Sequence, residues 1–268
     1  MSNTLPVPDF SRLAPKAGSR MVVAGGCGGI GKHVVAACIA NNLQVAVLDL
    51  ASSLERNPVP AKATGFAIDA TDESSVASGF ERIKAAWGAI DHLIFLIGFA
   101  LVPTRPLEQV SAAQWDDIMA GNLRSAFLVT RAALPLLREA HGGSIVTVAS
   151  GLGVSVLKGY GAYGSAKAGL IGLTKALAME NAPSIRANAV APSAILTPFM
   201  GGGTGRGGED RKSWDWFESK TDQYLPMIPL GRIAVEDDVV GPILFLAGDA
   251  ARYITGQTLH INGGRITP

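Results

Sequence analysis

Short, uninterrupted apolar runs alternate along this chain with longer stretches in which apolar residues recur every three or four positions. The runs at 21–24, 44–48, 65–68, 92–97, 144–148, 185–190 and 258–261 have strand length. A strand that is apolar throughout is one covered on both faces. Helical periodicity follows the first run to about 42 and returns at 73–87, 113–119, 125–140, 163–181 and 236–246. Strands that alternate with helices predict a parallel α/β sheet, and right-handed crossovers make it doubly wound, with about seven strands and helices on both faces. No internal repeat is visible. One stretch breaks the pattern: 200–210 (MGGGTGRGGED), followed by Trp214, Trp216 and Phe217. A loop this long in a compact unit is expected to be functional, so the segment at about 197–225 reads as a substrate lid.

Composition narrows the class. A length of 268 residues suits one large α/β domain, and 48% hydrophobic against 17% charged residues suits a large core. A net charge of +1 gives no electrostatic reason to expect nucleic acid or an anionic membrane as partner. The longest apolar stretch, 93–102, is far shorter than the ~20 residues a spanning helix needs. Residues 1–18 hold three prolines and no apolar h-region, so they are expected to form a loose arm ahead of a domain at 19–268, and the expected location is cytoplasmic. Cys27 and Cys38 imply no disulfide framework and read as small buried thiols.

The chemistry begins where the first strand runs into Gly25-Gly26-Cys27-Gly28-Gly29-Ile30-Gly31 and a helix starts. Such a turn brings the backbone close to a pyrophosphate, and the helix N-terminus offers unpaired N–H groups. Glycine-rich turns also occur without a ligand. The position of this one, between strand and helix, points to a Rossmann-type dinucleotide site. Asp49 ends the second strand, 18 residues after Gly31, where a carboxylate accepts the adenosine ribose hydroxyls and repels a 2′-phosphate. Gly28 and Leu50 leave no cation there, which favours NAD(H) over its phosphorylated form.

Tyr163 and Lys167 lie four apart in a helical segment and share one face. A fixed ammonium close to a phenol favours the phenolate, so Tyr163 is expected to be poised for proton exchange near neutral pH. Hydride transfer between a nicotinamide and a carbonyl needs such a partner. Ser150 follows the fifth strand, where a hydroxyl faces the ligand crevice.

Taken together these residues resemble the short-chain dehydrogenase/reductase family in its single-domain form, over about 21–264. AGGCGGIG matches the family's glycine turn, with Gly25, Gly29 and Gly31 on its fixed glycines and Ala24 where threonine is usual. The resemblance implies an active-site set of Ser150, Tyr163 and Lys167, with Asn122 supporting a proton relay. It places Asp69 over the adenine, Gly98 beside the cofactor, and Ile195 (backbone) and Thr197 (hydroxyl) on the carboxamide, after Pro192. Three departures stand out: Phe95-Leu96-Ile97-Gly98 where the family has Asn-Asn-Ala-Gly, Ser193 in place of glycine, and Asn262 in place of aspartate.

The implied function is an NAD(H)-dependent oxidoreductase acting on a secondary alcohol or ketone. Phe99, Leu152, Val154, Leu157, Tyr160 and the lid aromatics, Trp214 among them, favour a cyclic, aromatic or medium-sized apolar substrate held by Ser150, Leu152, Tyr163 and Trp214. A carrier-linked 3-oxoacyl reductase and a non-catalytic cofactor sensor are the competing readings. His33, His92, His141 and His260 show no metal-ligand spacing, so no metal site is expected. Small residues along the Tyr163 helix, with the resemblance, imply a homo-tetramer or homo-dimer.

Overall fold

The computed structural model describes residues 13–140, 142–197, 199 and 224–267. The anticipated strands form one parallel sheet. Its members are β1 (Arg20–Ala24), β2 (Gln44–Asp49), β3 (Ala63–Ala67), β4 (His92–Phe95), β5 (Gly143–Val148), β6 (Ile185–Pro192) and β7 (Thr258–Ile261), in the order β3-β2-β1-β4-β5-β6-β7. The helices are α1 (Gly29–Ala40), α2 (Ala51–Arg56), α3 (Glu73–Trp87), α4 (Ala112–Met119), α5 (Ser125–Glu139), α6 (Gly161–Asn181) and α7 (Asp237–Ala247). This is a doubly wound, Rossmann-type α/β fold whose strand order reverses between β1 and β4.

Strand geometry sends successive side chains to opposite faces, and both faces are dry. Val22, Ala24, Ala46, Leu48, Leu93, Phe95 and Ile145 join α3, α5 and α6 in one core. Met21, Val23, Val45, Val47, Ile94 and Val146 join α1 and α7 in the other. Each large side chain removed from water contributes about 1.5–3 kcal/mol, so the apolar runs hold two helical layers at once.

Local signals set the helix starts. The Asp72 carboxylate accepts the Ser74 and Ser75 N–H groups ahead of α3, and the Ser74 hydroxyl together with those bonds holds its pKa below the ordinary value. Ser111 and Gln114 form a reciprocal capping box at α4. At the far end of the sheet from the crevice, Arg20 forks onto Asp91, Nε and Nη2 each donating at 2.9 Å, and ties the starts of β1 and β4 together.

Two elements differ from the sequence expectation. β4 stops at Phe95 rather than at 97, because its neighbour β1 ends at Ala24 and turns away at Gly25. Leu96 still donates to the Ala24 carbonyl at 2.8 Å, but its side chain goes to one core and that of Ile97 to the other. The short α2 was not anticipated, since six residues carry too little periodicity to register. Residues 13–18 lead into β1 along the body, with Ala14 against the α7 side of the core and the Gly18 N–H donating to Asn42 at 2.8 Å. The lid aromatics Trp214, Trp216 and Phe217 lie outside the described residues, as does His141.

Candidate active site

Parallel α/β sheets leave a crevice at the carboxyl ends of their strands where the order reverses. Here that crevice lies after β1 and β4, and the glycine turn lines it. Gly25 has φ +87°, and a Cβ there would sit 3.1 Å from the Ile97 backbone nitrogen and 3.2 Å from its Cγ1. At Gly31 a Cβ would run into the Gly25 carbonyl, which is why α1 can approach the turn only with glycine at that place. Gly28 caps α1 without any side-chain hydrogen bond, and the first helical turn, which includes Ile30, holds no acid. A Cβ at Gly28 would meet only the Gly25 oxygen, 3.5 Å away. The helix start is therefore open, electropositive and free of side chains, which fits the pyrophosphate of a dinucleotide.

Asp49 is held in this crevice by two backbone donors, the Cys27 N–H on Oδ2 and the Leu50 N–H on Oδ1, both at 2.9 Å. The carboxylate thus joins the end of β2 to the glycine turn and retains lone pairs for further donors. Asp69 is exposed at the end of β3 and accepts the Thr71 N–H and hydroxyl at 2.8 and 2.7 Å, which orients it on its own turn. Cys27 and Cys38 are buried, and burial pushes both thiols up to about 12, so neither is a nucleophile.

The residues expected to transfer protons meet on the other side of β4. Ser150 follows β5 and opens a single turn at Gly151–Gly153. That turn lies directly on α6: a Cβ at Gly153 would sit 2.8 Å from the Lys167 carbonyl carbon, and one at Gly164 would sit 2.9 Å from the Leu152 oxygen. The two glycines let the turn and the helix close up, which brings the Ser150 hydroxyl near enough to the phenol of Tyr163 to favour its ionised form. Ser150 Oγ also accepts the Leu152 N–H at 3.1 Å. Lys167 is 3% exposed, and its Nζ donates to the Val148 carbonyl at 3.0 Å and stands 5.6 Å from the centre of the Tyr163 ring.

The electrostatics differ from the simple expectation. Burial raises the Tyr163 phenol above its ordinary value, against the opposing pull of Ser150. Burial also lowers Lys167 to about 7. For both groups the loss of water, rather than their mutual contact, sets the direction of the shift.

Asn122 sits in a widened helical turn, Ala120–Arg124, between α4 and α5. Its side chain is spent on structure: Oδ1 accepts the Phe99 N–H at 3.2 Å, and Nδ2 donates to Phe99 at 2.8 Å and to Ile118 at 3.0 Å. Such π-type turns recur at functional sites, and this one fixes the strand end beside Lys167. Gly98 is wedged between these groups; a Cβ there would collide with Asn122 Oδ1 and sit 2.9 Å from Lys167 Nζ. After Pro192 at the end of β6, Ile195 bridges to Ala234, and its carbonyl accepts the Thr197 N–H at 2.8 Å. Both residues are buried along this wall.

Some expected substrate contacts fall elsewhere. Phe99 is buried in a cluster with Ile118, Ala162 and Ala166, and Val154 is exposed, so neither forms a pocket wall among the described residues. Trp214 lies outside those residues. Sequence reasoning missed Phe199, whose ring meets that of Tyr163 at 5.7 Å and 52°. It also missed the chain end, where Ile266 Cδ1 lies 3.1 Å from the Cβ position of Gly151. No periodic signal marks either, since both come from irregular chain folded back onto the site.

Comparison with known proteins settles the family. A family model described as enoyl-(acyl carrier protein) reductase matches residues 25–265. The chain is 32% identical over 254 residues to D-threitol dehydrogenase of Mycolicibacterium smegmatis, covering 92% of each protein. The chain belongs to the short-chain dehydrogenase/reductase family. It is also 31% identical over 251 residues to 3-oxoacyl-[acyl-carrier-protein] reductase of Escherichia coli, covering 92% of this chain and 97% of the relative. The solved aldohexose dehydrogenase of Thermoplasma acidophilum superposes with a TM-score of 0.81 at 27% identity, covering 97% of this chain and all (100%) of that one. Members of this family are nicotinamide-dependent oxidoreductases. No helix of the described residues is long and apolar enough to cross a membrane.

Proposed function

We propose that this chain is an NAD(H)-dependent oxidoreductase that transfers hydride between the nicotinamide and a secondary alcohol or ketone. The observation that carries the reading is the pairing of one uncapped glycine cradle with one buried Ser–Tyr–Lys cluster across a single crevice. When bound, the nicotinamide supplies the hydride acceptor or donor. Ser150 donates to the substrate oxygen and holds it beside Tyr163. In the reducing direction the Tyr163 phenol, kept protonated by burial, gives its proton to that oxygen. In the oxidising direction Tyr163 would act from its phenolate form and take the hydroxyl proton of the alcohol. Lys167 orients the cofactor ribose and Asn122 holds the strand end behind it. Gly25, Gly28, Gly29 and Gly31 take the pyrophosphate, Asp69 the adenine, and Ile195 and Thr197 the carboxamide.

Asp49 supports NAD(H) over its 2′-phosphorylated form, because a carboxylate fixed by two N–H bonds cannot swing away from a phosphate. Leu152, Leu157 and Phe199, all partly buried, support a substrate with an apolar or cyclic body. Exposed Phe127 on α5 and Met179 on α6 support a homo-oligomer built through those helices, working in the cytoplasm. The 31% identity to a carrier-linked reductase keeps an acyl-carrier substrate as the second reading.

The test is fluorescence titration with NADH and NADPH, followed by secondary alcohols with NAD at mildly alkaline pH. Tighter binding of NADH and NAD-dependent turnover are expected. Preference for NADPH with turnover of 3-oxoacyl thioesters alone would favour the carrier-linked reading.

A further inference from the structure

The chain end brings a cation to the substrate side of the crevice. After β7, Asn262 ties a turn together: its Oδ1 accepts the Gly264 N–H at 2.9 Å and its Nδ2 donates to the Ile266 carbonyl at 2.8 Å. Asn262 is 8% exposed, so the turn is anchored from inside. Positive φ at Gly263 (62°) and Gly264 (88°) bends the chain back toward β6. Ile266 then packs on Gly151, the residue after Ser150, and Arg265 is held one step away. Its guanidinium lies 5.5 Å over the ring of Tyr224, and Nη1 reaches Ser193 Oγ at 3.4 Å. Burial, reinforced by nearby Tyr224, pushes the phenol of Tyr160, three residues before Tyr163, up to about 12.

Among the described residues the charge of Arg265 has no ion-pair partner: the ion pairs there are Arg20–Asp91, His33–Asp237, Arg131–Glu73 and Arg232–Asp238. A guanidinium stacked on an aromatic ring keeps its N–H donors in the plane, presented as a fork that matches a planar oxyanion. Among the described residues only one long bond, to a serine hydroxyl, engages that fork. A half-buried arginine that served only the fold would be expected on carboxylates or carbonyls, as Arg186 is on Leu246, Ala247 and Gly248.

We propose that Arg265, platformed by Tyr224 and steered by Ser193, receives an oxyanion of the substrate, so that the alcohol or ketone oxidised or reduced at Tyr163 is a hydroxy or oxo acid, or its phosphate-ester counterpart. The proposal rests on the oxidoreductase reading above and adds the charge of the substrate. The apolar wall would face the body of the molecule while Arg265 takes its anionic end.

The experiment measures thermal shift and competition binding of the full chain saturated with NADH. The probes are 3-hydroxycyclohexanecarboxylate against its carboxamide, gluconate against glucitol, and glucitol 6-phosphate. At least one anion should raise Tm by about 2 °C or more beyond its neutral partner. Arg265→Leu should weaken that anion tenfold or more, Arg265→Lys should weaken it less, and NADH affinity should stay within twofold in both. The carboxylate and phosphate arms show which oxyanion is taken. Neutral members that bind as well as the anions, no binding by any anion, or Arg265→Leu with unchanged anion affinity would each overturn the proposal. So would a loss of NADH affinity in Arg265→Leu, which would assign the cation to the cofactor. Should Arg265→Leu fail to fold, Tyr224→Leu removes the platform and is expected to weaken the same anion. Wild-type protein that binds neither nicotinamide dinucleotide would instead sink the underlying oxidoreductase reading, and the titration without anions reports this separately.

Discussion

The ammonium of Lys167 donates to the carbonyl of Val148 at 3.0 Å, so the last residue of β5 anchors the side chain that stands behind Tyr163. Val148 lies two residues before Ser150, which makes one strand end the reference point for all three members of the cluster. The arrangement costs stability, because a nearly inaccessible ammonium has only a neutral acceptor in place of water.

Lys167→Met should therefore abolish turnover while raising Tm, by about 5 °C as an order of magnitude. The folded-state pKa of Lys167, about 7, lies below its ordinary value of 10.5. The unfolded chain thus takes up the proton first, and stability falls as pH drops from about 10.5 toward 7. Thermal unfolding across that window should show the slope in wild type and its reduction by about one proton in the variant.

Asp49 has two roles that substitution can separate. Asp49→Ala leaves the Cys27 N–H in the glycine turn without its acceptor, which costs roughly 1–3 kcal/mol as well as the cofactor contact. Asp49→Asn keeps an acceptor oxygen but removes the charge. Denaturant midpoints should separate the two variants, whereas both should narrow the gap between NADH and NADPH affinity. Equal midpoints would mean that the Cys27 bond does not hold the turn.

Gly98→Ala should be severe for a residue that does no chemistry. The added methyl meets Asn122 Oδ1 and Lys167 Nζ together, and both groups are already committed to other partners. Expected are a loss of about 1–3 kcal/mol from overpacking and at least a tenfold fall in kcat, read by unfolding and by steady-state rates. A variant with wild-type kcat would show that this corner of the site has slack.

His92 reports on acid stability at the opposite end of the sheet. Ser144 Oγ donates to the Ala247 carbonyl at 3.0 Å, so in the 2.9 Å contact between His92 Nδ1 and Ser144 Oγ the imidazole is the donor. Burial, reinforced by the Arg186 charge, lowers His92 to about 4. Its ordinary value is 6.5, so the neutral ring is a source of stability above that pH which is lost progressively as pH falls toward 4. His92→Asn should flatten the pH dependence of Tm in that window even if it lowers Tm at pH 7. An unchanged slope would place the acid-sensitive group elsewhere.

Much of this was legible before the chain was folded. Short, mainly apolar runs such as 44–48 and 144–148 read as strands buried on both faces, and their alternation with helices leaves few topologies. The glycine turn and the Tyr163–Lys167 spacing were readable for the same reason: each is local, and its geometry follows from a handful of adjacent residues. Phe199, Tyr224, Arg265 and the end of β4 were not. β4 ends where β1 turns away, which is a property of another segment's path. Arg265 is near Ser193, 72 residues earlier in the chain, only because Asn262 and two glycines fold the chain end back.

By itself, then, the sequence determined the layered sheet and the place of the glycine turn, and it marked the groups proposed to exchange protons, because helix and strand periodicity and short-range spacing are written in contiguous residues. Only the tertiary structure decided how those groups are charged and what else surrounds them. Burial sets the pKa of Tyr163 and Lys167, and burial is produced by every element that packs over them rather than by the three residues that link them.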